Sequence, residues 1–352
     1  MTANHEPSST ERLQGLILGA ALGDALGLPA EGLSRGRIAR LWSGALRHRF
    51  LAGRGMGSDD TEHLFLTGQA LLQSRLDGEV FRKSLGWKLR WWMLAFPAGV
   101  GLATARALLK LWLGWKPGNN GVYSAGNGPA MRSAVIGAVC SQDLSRLRGL
   151  VEASTTLTHT DPKALTGALA LAHAAAAIHQ GNASPADLFE VWRHIAPDDK
   201  EWQSRLILME GCLTSQDTVE AFVTRLGCPA RVSGYMYHSV PVALYSWLTH
   251  RGDFRETVTQ IVRCGGDTDT VASMAGALAG MEAGIDGLPQ DWMAGLTEWP
   301  RTKGAMMALG LGLSTPLKCS PVSYPVWGVL PRNLLFLAVV LFHGFRRLLP
   351  PY

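Results

Sequence analysis

Two short acidic clusters carry the densest potential chemistry in this 352-residue chain. One reads Gly57-Ser58-Asp59-Asp60-Thr61, the other Gly265-Gly266-Asp267-Thr268-Asp269-Thr270. Each sets two carboxylates among hydroxyl side chains, then runs into an apolar stretch, Leu64 onward in one and Val271 onward in the other. Like charges packed this densely need compensation. At an exposed helix start, water and the helix dipole supply it, and Asp and Thr are then simple N-caps. Two such clusters, both behind glycine and both entering apolar helices, fit better as one buried group of four carboxylates, which demands cations. Hard oxygen ligands without His or Cys favour Mg²⁺, Mn²⁺ or Ca²⁺ over zinc. Two such ions about 4 Å apart hold and activate a bridging water.

Other residues could serve the same site. Asp24 and Glu31 are seven positions apart, a spacing that shares a helix face, but Gly27 and Pro29 between them predict a loop. On their own, Asp24 reads as a helix-terminal hydrogen-bond acceptor or an acid of the site, and Glu31 as a surface carboxylate or another such acid. Gly126-Asn127-Gly128-Pro129-Ala130-Met131-Arg132 has the make-up of an anion-binding loop, because glycine lets backbone N–H groups approach a phosphate. Arg132 then pairs with the bound anion or forms a structural ion pair. His159, beside Asp161 and Pro162, is a pocket candidate or a satisfied structural histidine. His63 and His238 are weaker candidates, and Tyr123, Tyr235 or Trp247 could stack on a base.

The elements that must position these groups are helical. Leu13, Leu16, Ile17, Ala20 and Ala21 recur on one helix face. Ser58-Asp59-Asp60-Thr61 is a helix start for Leu64–Leu72. Asp161-Pro162 opens an Ala-rich helix through Ile178, since Pro suits a first turn. Val271–Met281 is rich in Gly and Ala, with Gly276 and Gly280 four apart, so it should pack closely and deep. Gly118–Gly121 and Gly126–Gly128 read as loops. No βαβ rhythm, internal repeat or low-complexity linker is visible.

Composition sets bounds. The chain is 47% hydrophobic and 17% charged, enough for a sizeable core and unlike a disordered chain. A net charge of +5 is scattered rather than striped, so no nucleic-acid partner is expected. Five cysteines, none at C-x-x-C spacing, read as reduced thiols of a cytoplasmic protein. Met1–Thr10 is a polar lead-in without a hydrophobic signal core. One helical domain is expected over 10–300, then a tail over 301–352. Pro316, Pro321, Pro325 and Pro331 interrupt the tail. Leu334–Phe342 is nine apolar residues, too short to span a bilayer. It reads as a buried terminal element, or as a peripheral contact to a membrane surface or partner, helped by Arg346-Arg347. The tail has no Asp or Glu from Ser314 on and is expected to stand outside the site.

Ser58-Asp59-Asp60-Thr61 together with Asp267-Thr268-Asp269-Thr270 resembles the paired metal motifs of the ADP-ribosylglycohydrolase family. Gly19-Ala20-Ala21-Leu22-Gly23-Asp24-Ala25-Leu26-Gly27, Gly126–Arg132 and Thr158-His159-Thr160-Asp161-Pro162 resemble that family's opening helix, Gly-rich loop and central His motif, in family order over about residues 13–283. The resemblance implies an all-α fold, an orthogonal multi-helix bundle with a central dinuclear metal cleft. It implies two divalent cations, Mg²⁺ or Mn²⁺, on Ser58, Asp59, Asp60, Asp267, Asp269 and Thr270, with Ser58 standing where many relatives have Thr. Asp59, Asp60, Asp267 and Glu31 are the implied catalytic set. Asp24, Gly126, Asn127, Gly128, Met131, Arg132 and His159 are the implied substrate contacts. The implied reaction is hydrolysis of the bond between ADP-ribose and an acceptor on a protein or small molecule. The Gly-Asn-Gly-x-Ala-Met-Arg form looks closer to arginine-type members than to serine-type ones. The alternatives are a silent ADP-ribose binder, a structural relative such as a crystallin, or a two-metal phosphoesterase; the full carboxylate set and the lack of His clusters argue against these.

Overall fold

The computed structural model describes residues 6–348. The calls on Met1–His5 and on the last four residues of the tail lie outside the described residues. Seventeen α-helices follow one another, with no β-sheet among the described residues. They are α1 (Ser9–Gly27), α2 (Arg35–Leu41), α3 (Asp59–Ser74), α4 (Gly78–Leu94), α5 (Leu102–Trp112) and α6 (Ala134–Val139). Next come α7 (Leu144–Thr156), α8 (Pro162–Gln180), α9 (Pro185–Ile195), α10 (Lys200–Thr214), α11 (Val219–Arg225) and α12 (Met236–Thr249). The chain ends through α13 (Phe254–Cys264), α14 (Thr268–Ala283), α15 (Gln290–Gly295), α16 (Lys303–Leu313) and α17 (Val329–Arg346).

The helix starts follow the expected chemistry. The Ser8 hydroxyl and the Glu11 carboxylate close a capping box on α1. Ser58 caps α3, accepting from Asp60 N at 3.2 Å. Asp161 caps α8, with Pro162 in its first turn.

The central pair is α1 against α14, packed backbone to backbone. Gly15, Gly19, Gly23 and Gly27 recur every four residues on one face of α1. A Cβ on Gly23 would stand 2.0 Å from Ala272 O, and one on Gly19 would stand 2.3 Å from Gly276 O. The approach therefore requires glycine. Because the helices run antiparallel, it places Asp24, beside Gly23, next to Asp269, beside Thr268.

Two expectations change here. The Gly27–Glu31 stretch is not a loop: α1 passes directly into a 3₁₀ turn over Leu28–Ala30, so Glu31 is held on a continuous support. The domain also does not stop at 300. Met306, Leu309 and Leu313 of α16 belong to the main core, and α16 packs against α1 and α3.

Candidate active site

The C-terminal end of α1 and the N-terminal ends of α3 and α14 converge, with nearby loops, on one cleft of about 580 Å³. Gly266 is the hinge of the second acidic motif. Its φ of 91° is left-handed, and a Cβ there would meet Val232 O at 1.8 Å. This close crossing lets Gly32 N donate to Gly266 O, Gly266 N to Leu33 O and Asp267 N to Val232 O, at 2.8–3.0 Å. Glu31 and Asp267 are thereby brought to the same wall. Opposite, the Gly126–Gly128 loop is tied down by Asn127 N donating to Gly234 O at 3.0 Å. His159 lies beneath it, with Nε2 only 3.0 Å from where a Gly126 Cβ would sit.

The cleft is lined by Glu31, Ser58, Asp59, Asp267, Asp269 and Thr270 on its acidic side, and by Gly126, Asn127, Gly128, Met131 and His159 on the other. Asn127 Nδ2 donates to Asp267 Oδ2 at 2.6 Å, joining the two sides. Asp60 and Asp24 sit below this surface. Ser58 Oγ and Thr270 Oγ1 each donate to Asp60 Oδ2 at 3.1 Å, so one carboxylate links both motifs. Asp24 is fully buried, and Oδ2 accepts from Ser58 N, Thr61 N and Thr61 Oγ1 at 2.5–3.0 Å. Its expected role as a substrate contact is corrected: it shapes the α3 N-terminus from beneath.

Asp24, Asp60 and Asp269 each offer an oxygen, and these atoms lie within 4.8 Å of one another. In each, Oδ1 is buried without a hydrogen-bond partner among the described residues. Burial first, then neighbouring carboxylates, raise Asp59, Asp60 and Asp269 well above the ordinary carboxylate range. Burial likewise raises Glu31, reinforced by the charge of Asp267. Converging oxygen atoms that lack partners and repel one another are what a hard divalent cation satisfies, so the residues present fit such a group.

Arg132 is the second correction. It is fully buried, not in the cleft. Its guanidinium donates to Gly128 O, Ser154 Oγ, Ser154 O and Thr158 Oγ1 at 2.7–2.9 Å. Among the described residues it has no ion pair; it props the Gly-rich loop from behind. Burial and the Arg132 charge push the His159 pKa down to about 3, so His159 stays neutral. His63 is buried edge-on against Trp92 and does not reach the cleft. Half-buried His238 accepts from or donates to Ser233 Oγ at 2.9 Å. Trp247 is buried in the core, which removes it as a stacking platform. Tyr235 is committed through its hydroxyl to Glu201 and Lys163, while Tyr123 is exposed beside Ser124 at the cleft.

The tail expectation is overturned as well. Phe336 and Val340 of α17 line the cleft, and Arg347 donates to the carbonyls of Glu31 and Pro29 at 2.8 and 2.9 Å. Arg332 donates to Gly57 O and to Glu298 Oε1, and Gly57 N donates to the same Glu298 oxygen at 2.5 Å. Glu62 accepts from Arg301 and from Trp92 Nε1. Burial alone would raise the Glu62 carboxyl, but Arg301 and Arg332 outweigh it and hold it below its usual value. The segment after 298 therefore braces the peptide that opens the first acidic motif. Sequence reading missed these four residues. Glu62 stood in plain sight after Asp60-Thr61, but its arginine partners, Arg301 and Arg332, lie more than 230 positions away. Arg231 was missed too. Among the described residues, it is the only Lys or Arg lining the cleft.

The chain is thus an all-α domain with a polar cleft floored by buried carboxylates that could hold a metal ion. The sequence profile of the ADP-ribosylglycohydrolase family matches residues 5–316, and the chain belongs to that family, whose members act on ADP-ribosylated substrates. It is similar to an uncharacterized protein of Archaeoglobus fulgidus, 32% identical over 82% of this chain and 92% of that one. It is similar to the ADP-ribosyl-[dinitrogen reductase] glycohydrolase of Rhodospirillum rubrum, 26% identical over 82% of this chain and 92% of that one. A solved structure titled "ADP-ribosylglycohydrolase-related protein complex" superposes with a TM-score of 0.65 at 26% identity, covering 88% of this chain and 99% of that one.

Proposed function

We propose that this protein hydrolyses the glycosidic bond between ADP-ribose and an arginine side chain of a modified protein, using two divalent cations, Mg²⁺ or Mn²⁺. The carrying observation is the trio Asp24, Asp60 and Asp269, each with a buried oxygen lacking a partner, at the floor of a polar cleft. Ser58, Asp59, Asp60, Asp267, Asp269 and Thr270, with Asp24 beneath them, would hold the ions. When bound, such ions supply Lewis acidity, orienting the ribose hydroxyls and lowering the pKa of water.

The chain's own residues do the rest. Glu31 stands accessible at the cleft wall and accepts the proton of the attacking water. The acidic wall favours the positive charge that develops at the anomeric carbon in an oxocarbenium-like transition state. It also favours a guanidinium acceptor over a neutral hydroxyl, which supports arginine, as does the Gly-Asn-Gly-x-Ala-Met-Arg form of the loop. Backbone N–H groups of Gly126–Gly128 and the Arg231 side chain receive the pyrophosphate. All five cysteines are free thiols, which suits a reducing cytoplasm.

The test is a panel of ADP-ribosylated peptides linked through arginine or serine, assayed for ADP-ribose release with Mg²⁺ and with Mn²⁺. The expected result is kcat/KM at least about tenfold higher for the arginine linkage, a difference of about 1.4 kcal/mol in transition-state binding. Equal rates, or a preference for serine, would refute the arginine assignment.

A further inference from the structure

The active-site reading leaves the outer side of α4, α5 and α17 without a role, yet many of the exposed large apolar side chains lie on these elements and beside them. Trp327 is 74% exposed, Leu113 72% and Phe345 68%, and Trp87, Trp91 and Trp115 are about half exposed. Soluble surfaces seldom carry so many large apolar groups together. α4 packs against α5 and meets the start of α17 across a groove. A groove of about 690 Å³ runs between Trp87, Trp91 and Leu94 of α4 and Trp327 and Leu330 at the start of α17. Asn333 Nδ2 donates across it to Ala95 O at 3.0 Å. Trp91 meets Trp112 of α5 edge-on, with centroids 5.4 Å apart.

The charge pattern of this face identifies its occupant. Val80–Gln142 and Trp299–Tyr352 contain no Asp or Glu, although the chain has 28. Over the same stretches lie Lys83, Lys88, Arg106, Lys110, Lys116 and Lys318, among others, with Lys83, Arg106, Lys116 and Lys318 exposed. A protein partner or a second copy of this chain would be met by charges of both signs around an apolar centre. Tryptophan and long apolar side chains interleaved with cations of one sign fit instead the interfacial layer of an anionic bilayer.

Helix α17 is long and apolar enough to cross a membrane, but it is only 28% buried and is fastened lengthwise to the domain. Arg332 and Asn333 are buried at its first turns, His343 bonds Phe50 O, and Arg347 bonds the Glu31 and Pro29 carbonyls. A helix pinned at both ends lies along the surface and does not span.

We propose that the face formed by α4, α5 and α17 docks this protein on an anionic lipid bilayer as a peripheral membrane protein. The juxtaposition that carries it is an exposed Trp-rich apolar face on which α5 and α17 have no carboxylate and α4 has only Glu79, paired with Arg82. Because Phe336 and Val340 on the inner side of α17 line the cleft, docking sets the cleft mouth beside the bilayer.

The test is co-sedimentation of the full chain with phosphatidylcholine vesicles, with and without phosphatidylglycerol, over a range of salt. No ADP-ribosylated substrate is present, so failure here leaves the hydrolytic reading untouched. The expected result is binding that needs phosphatidylglycerol, weakens with salt, and places tryptophan within reach of a brominated-lipid quencher. Lys83→Glu and Arg106→Glu should each weaken partitioning about fivefold or more. Phe342→Ser/Phe345→Ser should abolish the quenching while thermal melting of these exposed-site variants stays like the parent. Absence of binding to either vesicle, or equal binding to both with no effect of salt, overturns the proposal. So does a stable dimer that the Phe342→Ser/Phe345→Ser variant disperses, because a second copy then covers the face.

Discussion

Without a cation, Asp60 and Asp269 hold protons that ordinary carboxylates would release, because burial and the neighbouring carboxylates disfavour their charge. Their folded-state pKa values are raised above the unfolded ones, so the folded protein binds more protons than the unfolded chain. Stability then falls as pH rises from the usual carboxylate range through the raised values. A divalent cation replaces those protons and should restore the loss. In chelator, the melting temperature is therefore expected to drop from mildly acidic to mildly alkaline pH, and Mn²⁺ should raise it more at the alkaline end. Asp60→Asn should flatten the pH slope and lose the metal increment. A metal increment of equal size at both ends would contradict this reading. The two arginines near the loop divide their work differently. Arg231→Ala is expected to raise KM about tenfold or more with kcat nearly unchanged, since a phosphate contact remote from the breaking bond is similar in ground and transition states. Arg132→Ala should instead lower the melting temperature, as four buried acceptors lose their donor. Steady-state kinetics and melting curves on both variants distinguish the roles; a pure KM effect from Arg132→Ala would restore it to the substrate site.

At the scale of elements, the acidic motifs depend on supports drawn from the far end of the chain. Arg332 of α17 reaches back 275 positions to Gly57 O, just ahead of Ser58. Replacing it with Met leaves Glu298 buried and unpaired, which costs about 3–5 kcal/mol. The expected outcome of Arg332→Met is a lower melting temperature together with weaker Mn²⁺ affinity by calorimetry, because Gly57-Ser58 loses an anchor. Unchanged metal affinity in a folded Arg332→Met protein would show that α17 only covers the site. A chain ending at Ser314 is expected to lose activity for the same reason. The local elements were legible in sequence because their causes are local: Ser58 and Asp161 cap the helices they precede, and Gly276 and Gly280 marked α14 as a close-packed core helix. The part played by α17 was not legible. Its apolar run reads the same whether it caps a core, walls a cleft or faces outward, and only the fold brings Phe336 into the cleft that Asp59 lines.

Across the whole molecule, one surface gathers the acidic ligands and another gathers the apolar and basic groups, with α17 shared between them. The acidic pair of motifs was readable because both carboxylate clusters, their glycines and their following helices are written contiguously. Asp24 was readable as relevant but not as buried, since its depth comes from the α1–α14 crossing and not from its own neighbours. Arg231 was invisible for the same reason: an exposed arginine in sequence carries no sign that its loop closes over a cleft. The central claim is that the buried carboxylates hold cations for hydrolysis of an ADP-ribosyl bond. The most direct measurement is release of free ADP-ribose from an ADP-ribosylated arginine peptide by chelated protein, as Mg²⁺ or Mn²⁺ is added back to the parent and to Asp60→Asn. The account predicts no turnover in chelator, saturable recovery with metal in the parent, and none in an Asp60→Asn protein that melts cooperatively. Turnover that survives chelation, or an Asp60→Asn variant that recovers like the parent, would contradict it.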